Sequence, residues 1–366
     1  PENYTWSAAV IATISAAGWG GSEIGEIHRV RSALAGRVGD NAAWFDAWNK
    51  MAEKVVKQGE VAERAGHRQT AAAAFMRAAN YIQTGERLMQ PRTADSQEAY
   101  ARSVELFKRG LPHVPYLSIE PVEVPFEGGK SLPGYFVKNA LPPSVRWPTV
   151  VFFDGLDITK EMQYFRGTLE LMKRGMACLL VDGPGNGESI RFRRLPSRYD
   201  YDVAGTAAVD LLETRDDVDS RRIAVLGISL GGYYAPRCAA FEKRFKACVA
   251  WGGIWDYQAA WKRRIAQQFQ TALSVPGDHI NWVLGTENFD ESLIKLENFK
   301  QKGMAGRIVC PFLLTHGAAD AQVSIADAQR LFDEVGSSDK TFKAFSVEEG
   351  GHQHCQNDNL TIGFSC

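Results

Sequence analysis

The stretch "RRIAVLGISLGGYYAPRCAAFEKR", residues 221–244, decides how the rest of the chain is read. An apolar run ends at Gly227, the pentapeptide Gly227-Ile228-Ser229-Leu230-Gly231 follows, and a segment of helical character begins at once. A strand-to-helix turn this sharp forces its serine into a strained backbone conformation. Only glycine two residues to either side leaves room for the close approach. On its own the pentapeptide could be a glycine-rich turn with an incidental serine. The strand before it and the helix after it favour a nucleophile held out from the turn.

Outward from this point the sequence has two rhythms. After Pro115 short β-type runs alternate with helical segments: "IEPVEVPF", "LPGYFV", "TVVFFDG", "MACLLVDG", "RIAVLG", "ACVAWGG", "CPFLLTHG" and "TFKAFSV". The first two read as a hairpin. The others predict an α/β fold whose eight-stranded, mostly parallel sheet carries helices on both faces. Residues 257–309 have helical character and read as an insertion at the strands' carboxyl ends, where such sheets bind ligands. The segment 139–148, "NALPPSVRWP", reads as a surface turn.

Residues 1–118 are alanine-rich and helical in spacing, so the chain divides into a helical unit, 1–118, and a sheet domain, 119–366. Trp44, Trp48, Met51 and Val55 mark one buried face of a helix. A second helix is expected to start at Ser96 as N-cap and run through Tyr100, Val104 and Phe107 to a stop at Gly110.

A serine hydroxyl is a weak nucleophile at neutral pH and needs a base, with an acid to orient it. In this arrangement the chain order is serine, then an acid, then histidine, the last two in loops after late strands. Asp320 in "LLTHGAAD" and His352 in "FSVEEGGHQH" meet that requirement. Gly350 and Gly351, which free the loop, favour His352 over its neighbour His354. Asp327 is the fallback acid but falls within a helical pattern, and His316 reads as structural. His28, His67, His113 and His279 have no partner motif. The oxyanion of a tetrahedral intermediate needs two N–H donors. Leu230, the residue after the nucleophile, supplies one; Leu156 supplies the other, with Gly155 as alternative. Asp154 and Asp182 read as structural acids.

The 42 basic and 43 acidic side chains leave a formal charge of −1, so no global field favours nucleic acid or an anionic membrane. A small organic ligand is the expected partner. Six scattered cysteines without a CxxC pair read as reduced thiols, and no apolar run reaches membrane-spanning length. The stretch "LVDGPGNGES", 180–189, lacks the lysine and the glycine spacing of a phosphate loop. "HQHC", 352–355, is the nearest approach to metal-ligand spacing and is claimed by the proposed triad, so no cofactor and no metal are expected.

The elbow, the "DGPGNGES" turn, "HGAAD" and "GGH" resemble the α/β-hydrolase superfamily across residues 119–366. More closely, the helical front section, "DGLDITKE" (154–161), "GISLGGYYAPR" (227–237) and "AWGGIWD" (250–256) resemble the group of 2,6-dihydroxypseudooxynicotine hydrolase and the fungal hydrolases that shorten polyketide pigment precursors. That resemblance implies a homodimeric serine hydrolase using Ser229, Asp320 and His352, with the N-terminal helices as a cap; the reduced thiols are what point to a cytoplasmic, intracellular location. It further implies attack on a ketone or ester carbonyl, with cleavage of an adjacent carbon–carbon bond in several members. An extra active-site glutamate of the nicotine-degrading relative has no match here; Asp256 is the nearest acid. A final helix should cover the sheet, but only a short tail follows His352. Trp19, Trp44, Trp255, Trp261 and Trp282 could line a pocket for a flat, oxygenated substrate or form lid core. Ester, lactone or thioester hydrolysis, acyl transfer, and a non-catalytic receptor on the same fold are the competing readings.

Overall fold

A computed structural model of the chain describes residues 3–90, 92–140, 145–267 and 273–366. All eight expected strands are present: β1 Leu117–Phe126, β2 Lys130–Asn139, β3 Trp147–Phe153, β4 Ala177–Val181, β5 Val218–Ile228, β6 Phe245–Trp251, β7 Phe312–Gly317 and β8 Lys340–Phe345. They form one sheet in the order β1-β2-β4-β3-β5-β6-β7-β8. The β1–β2 hairpin is antiparallel, β2 meets β4 antiparallel, and every other pairing is parallel.

Both faces of the central strands are covered, which is why they read as unbroken apolar runs. Every residue of β4 is buried. Along β3 the side chains alternate between two cores. Val151 and Phe153 join the helices Asp202–Glu213 and Gly231–Phe241, whereas Val150 and Phe152 join the N-terminal helices.

Those helices are α1 Tyr4–Ser15, α2 Ile24–Ala33, α3 Asn41–Arg64, α4 Arg68–Glu86 and α5 Ala94–Gly110. In α3 the Asp40 side chain accepts from the Ala43 amide, and Trp44, Trp48, Met51 and Val55 are buried. Helices α3 and α4 approach closely at Gly59, where a Cβ would lie 2.7 Å from the Phe75 ring. The start of α5 differs from expectation. Thr93 is its N-cap, and Ser96 sits one turn in, closing a reciprocal capping box. Both residues are good caps, and the pairing selects the earlier one. The helical section packs directly on one sheet face, with the Phe107 ring tilted against that of Tyr135 at a centroid distance of 5.3 Å.

Residues 257–309 contain the helices Tyr257–Ala266, His279–Leu284 and Phe289–Lys295. Asp256 caps the first of these by accepting from the Ala259 amide. Part of the expected turn at 139–148, residues 141–144, lies outside the described residues. A four-residue helix, Leu360–Gly363, follows the last loop, and Phe364 lies edge-on to Trp251. No described helix is long and apolar enough to cross a membrane, and all six cysteines are free.

Candidate active site

Ser229 follows β5 with φ +62°, the left-handed region that side chains avoid. The strain is held by close backbone contacts. A Cβ on Gly227 would lie 1.9 Å from the Gly231 carbonyl oxygen, and one on Gly231 would lie 2.5 Å from that of Phe153. The Ser229 amide donates to the Trp251 carbonyl on β6 at 2.9 Å. Local packing thus forbids larger residues at both glycines and leaves Ser229 partly exposed among buried neighbours.

The histidine against this hydroxyl is His354. Its Nε2 is 2.7 Å from Ser229 Oγ, and its Nδ1 is 2.7 Å from Asp320 Oδ2. His352, expected from sequence, is not there. Its side chain is 48% exposed and its Nε2 is 3.8 Å from Asp358. The glycines that favoured His352 act otherwise. A Cβ on Gly351 would fall 2.0 Å from the Phe345 carbonyl oxygen, so this glycine lets the loop pack tightly on the end of β8. The chain then turns inward through Cys355 and Gln356, both with positive φ. Gln356 accepts from Trp251 Nε1 at 2.7 Å, and Cys355 Sγ lies 3.5 Å from the Trp251 carbonyl oxygen. These buried anchors carry His354 to Ser229. The signal available in the sequence was the "HCQ" run itself, whose second and third residues bury beside Trp251.

Asp320 follows β7, as expected. Its Oδ1 accepts from the Gln322 and Val323 amides at 2.7 and 3.1 Å, fixing the carboxylate toward His354. Burial opposes its charge, yet His354 and these donors hold its pKa down at about 2. Burial likewise opposes protonation of His354, but the Asp320 charge outweighs it and raises its pKa well above the ordinary value. His316 is structural, its Nε2 donating to the Val323 carbonyl at 3.0 Å. Asp327 lies in the helix Ile325–Glu334 and accepts from the Trp255 and Asp256 amides.

The loop after β3 runs beside the nucleophile. Gly155 packs beneath the nucleophile, where a Cβ would sit 2.8 Å from Ser229 Cβ. Its amide, the alternative donor of the sequence reading, donates to Asp154 Oδ1 at 2.6 Å. The Leu156 and Leu230 amides have no acceptor among the described residues. Several ties hold the loop. Asn186 donates to the Gly155 and Ile158 carbonyls, Arg87 pairs with Asp157, and the Lys160 amide donates to Asp182. Asp154 and Asp182 are structural acids, as expected; Asp182 also accepts from the buried Lys160 ammonium at 3.0 Å. Trp44, Trp48 and Trp261 are core, whereas Trp282 is half-buried beneath Arg92 and Arg191.

Among the described residues no three His, Cys, Asp or Glu side chains are grouped to hold a metal ion.

Residues 163–362, a span that includes Ser229, Asp320 and His354, match the prolyl oligopeptidase family. The chain is 31% identical to 20-hydroxy-prefusarin hydrolase of Gibberella moniliformis, over 90% of this chain and 87% of that one. It is 30% identical to 2,6-dihydropseudooxynicotine hydrolase of Paenarthrobacter nicotinovorans, over 86% and 80% respectively. The crystal structure of 2,6-dihydroxy-pseudo-oxynicotine hydrolase superposes with a TM-score of 0.78 at 24% identity, covering 96% of this chain and 93% of that one. The chain is therefore a hydrolase of the α/β-hydrolase superfamily and belongs to the prolyl oligopeptidase family.

Proposed function

We propose that the protein is a serine hydrolase that cleaves a carbon–carbon bond beside a carbonyl of a small polyketide-like or aromatic ketone. The observation that carries the serine chemistry is the unbroken chain Ser229 Oγ, His354 and Asp320, with both links at 2.7 Å. His354 Nε2 takes the Ser229 proton as Oγ bonds to the substrate carbonyl carbon. The oxygen becomes an oxyanion facing the Leu230 and Leu156 amides. Its collapse re-forms the carbonyl and breaks the bond to the neighbouring carbon. The departing electron pair is delocalised into a second carbonyl or an aromatic ring, and the proton on His354 passes to it. Water, deprotonated by His354, then releases the acyl group as an acid.

The substrate class is supported by two relatives whose names state hydrolysis of 20-hydroxy-prefusarin and of 2,6-dihydropseudooxynicotine. The experiment is intact-protein mass after a fluorophosphonate probe, followed by product analysis on matched 1,3-diketones and esters. One adduct that is lost in Ser229→Ala, and two fragments from a diketone, are the expected results. Cleavage of esters alone would replace the carbon–carbon reading with an esterase. No adduct on a folded protein would remove the serine mechanism.

A further inference from the structure

The oxyanion loop leads from Ser229 directly to a buried group of cationic side chains that the mechanism above does not use. Gly155 packs on Ser229, and Asp157, two residues on, receives Arg87 Nε at 2.7 Å. Two residues of extended chain span at most about 7 Å, so the group begins close to the nucleophile. Arg92 and Arg191 share the single carboxylate of Glu86. His279 completes the group. Its Nδ1 faces Gln90 Nε2 at 2.8 Å and Arg92 Nη2 at 3.3 Å, while Leu156 backbone lies against its ring.

Two N–H groups here lack an acceptor. Arg87 Nη1 and Arg92 Nε are buried without a hydrogen-bond partner among the described residues. Gln90 and Arg92 both donate toward His279 Nδ1, so that nitrogen accepts and the proton sits on Nε2. Burial, reinforced by the Arg92 and Arg191 charges, keeps the imidazole neutral. The nearby carboxylates are already engaged. Asp157 holds Arg87, Glu86 holds two arginines, and Glu161, Asp182 and Glu188 surround Lys160. A buried donor left without an acceptor is costly, most of all on a charged group. Both donors belong to guanidiniums, which take carboxylate oxygens in preference to neutral acceptors. Trp282, beneath both Arg92 and Arg191, supplies an aromatic wall that is half-buried rather than sealed.

We infer that Arg87, Arg92 and His279 form a subsite for a carboxylate or other anionic oxygen of the substrate, carried on the part of the molecule that lies along the oxyanion loop. The inference rests on Ser229 being the nucleophile, since that places the subsite next to the reacting carbonyl. It narrows the substrate class from neutral ketones to acidic ones.

The test is calorimetric titration of the Ser229→Ala variant with phenylacetate and 3-phenylpropanoate and with their uncharged amides. At least one acid is expected to bind ten times or more tighter than its amide. Adding Arg92→Met or His279→Leu is expected to cut that preference below threefold. Equal binding of acid and amide, or no binding of either acid, overturns the subsite and leaves the donors to water. Should Arg92→Met fail to fold, Arg92→Lys keeps the charge and loses Nε–H; an unchanged preference there overturns the role given to Arg92. Fluorophosphonate labelling of the parent is run alongside. Labelling without acid selectivity sinks the subsite alone, whereas acid selectivity without labelling sinks the serine reading alone.

Discussion

Replacing each of the two histidines of the last loop separates the geometry from the sequence pattern. His354 Nε2 is 2.7 Å from Ser229 Oγ, whereas His352 is 48% exposed on its side chain and reaches toward Asp358. General-base assistance is worth about 10²–10⁴-fold, and loss of one member of a fully coupled triad reaches about 10⁶. His354→Ala is therefore expected to slow fluorophosphonate labelling by at least about 10³-fold, close to 4 kcal/mol of transition-state stabilisation. His352→Ala should stay within about twofold, because an exposed side chain outside the hydrogen-bonded chain contributes nothing to proton transfer. The assay is the second-order rate constant for adduct formation at fixed pH, read by intact mass. His354→Gln serves as a control of similar size that lacks a basic nitrogen, since Ala leaves Asp320 facing a cavity. Equal slowing by the two alanine variants, or fast labelling in His354→Gln, would refute the assignment of the base.

Three further outcomes follow from the same geometry. Asp320 raises the His354 pKa well above 6.5, and the base works only when unprotonated. The parent's labelling rate should therefore climb with pH through a midpoint above 6.5, and Asp320→Asn should move that midpoint down while lowering the plateau by about 10³–10⁴-fold. The same pair sets a stability window: its contribution fades as pH falls through the Asp320 value of about 2 and as pH rises through that of His354. Gly155→Ala would place a Cβ 2.8 Å from Ser229 Cβ and 3.0 Å from Oγ. Displacing the nucleophile by about 1 Å should cost about 10²-fold in labelling rate, with the thermal midpoint little changed. Lys160→Met would leave Glu161, Asp182 and Glu188 facing one another without their buried cation, and urea titration should show a loss of about 3–5 kcal/mol.

The helical group around Lys160 also explains why the front section and the sheet cannot be treated as unrelated pieces. Gln83 on α4 donates to Glu161, Thr159 donates to Gln83, and Arg87, just past α4, holds Asp157. The loop that carries the Leu156 amide is thus fixed from the N-terminal helices as well as from the sheet. Removing those helices would free the loop that carries the Leu156 amide, one of the two oxyanion donors proposed above, as well as uncover a core.

The sequence by itself determined what depends on neighbours in the chain. Eight strands are legible because central strands buried on both faces become continuous apolar runs. The elbow at Ser229 is legible because its strain is met by glycines within two residues. Asp320 is legible because its placement follows from the end of one strand. Tertiary structure decided the rest. Ser96 and Thr93 are both competent caps, and only their mutual hydrogen bonds choose between them. His352 and His354 differ by two residues, and the choice falls to Trp251 on another strand, which anchors Cys355 and Gln356 in left-handed conformations and so aims His354 inward. His279 has no sequence partner because Gln90 and Arg92 reach it from nearly two hundred residues away. Local strain and periodic burial are written into short segments. The direction of a side chain in an irregular loop is set by whichever distant surface buries its neighbours.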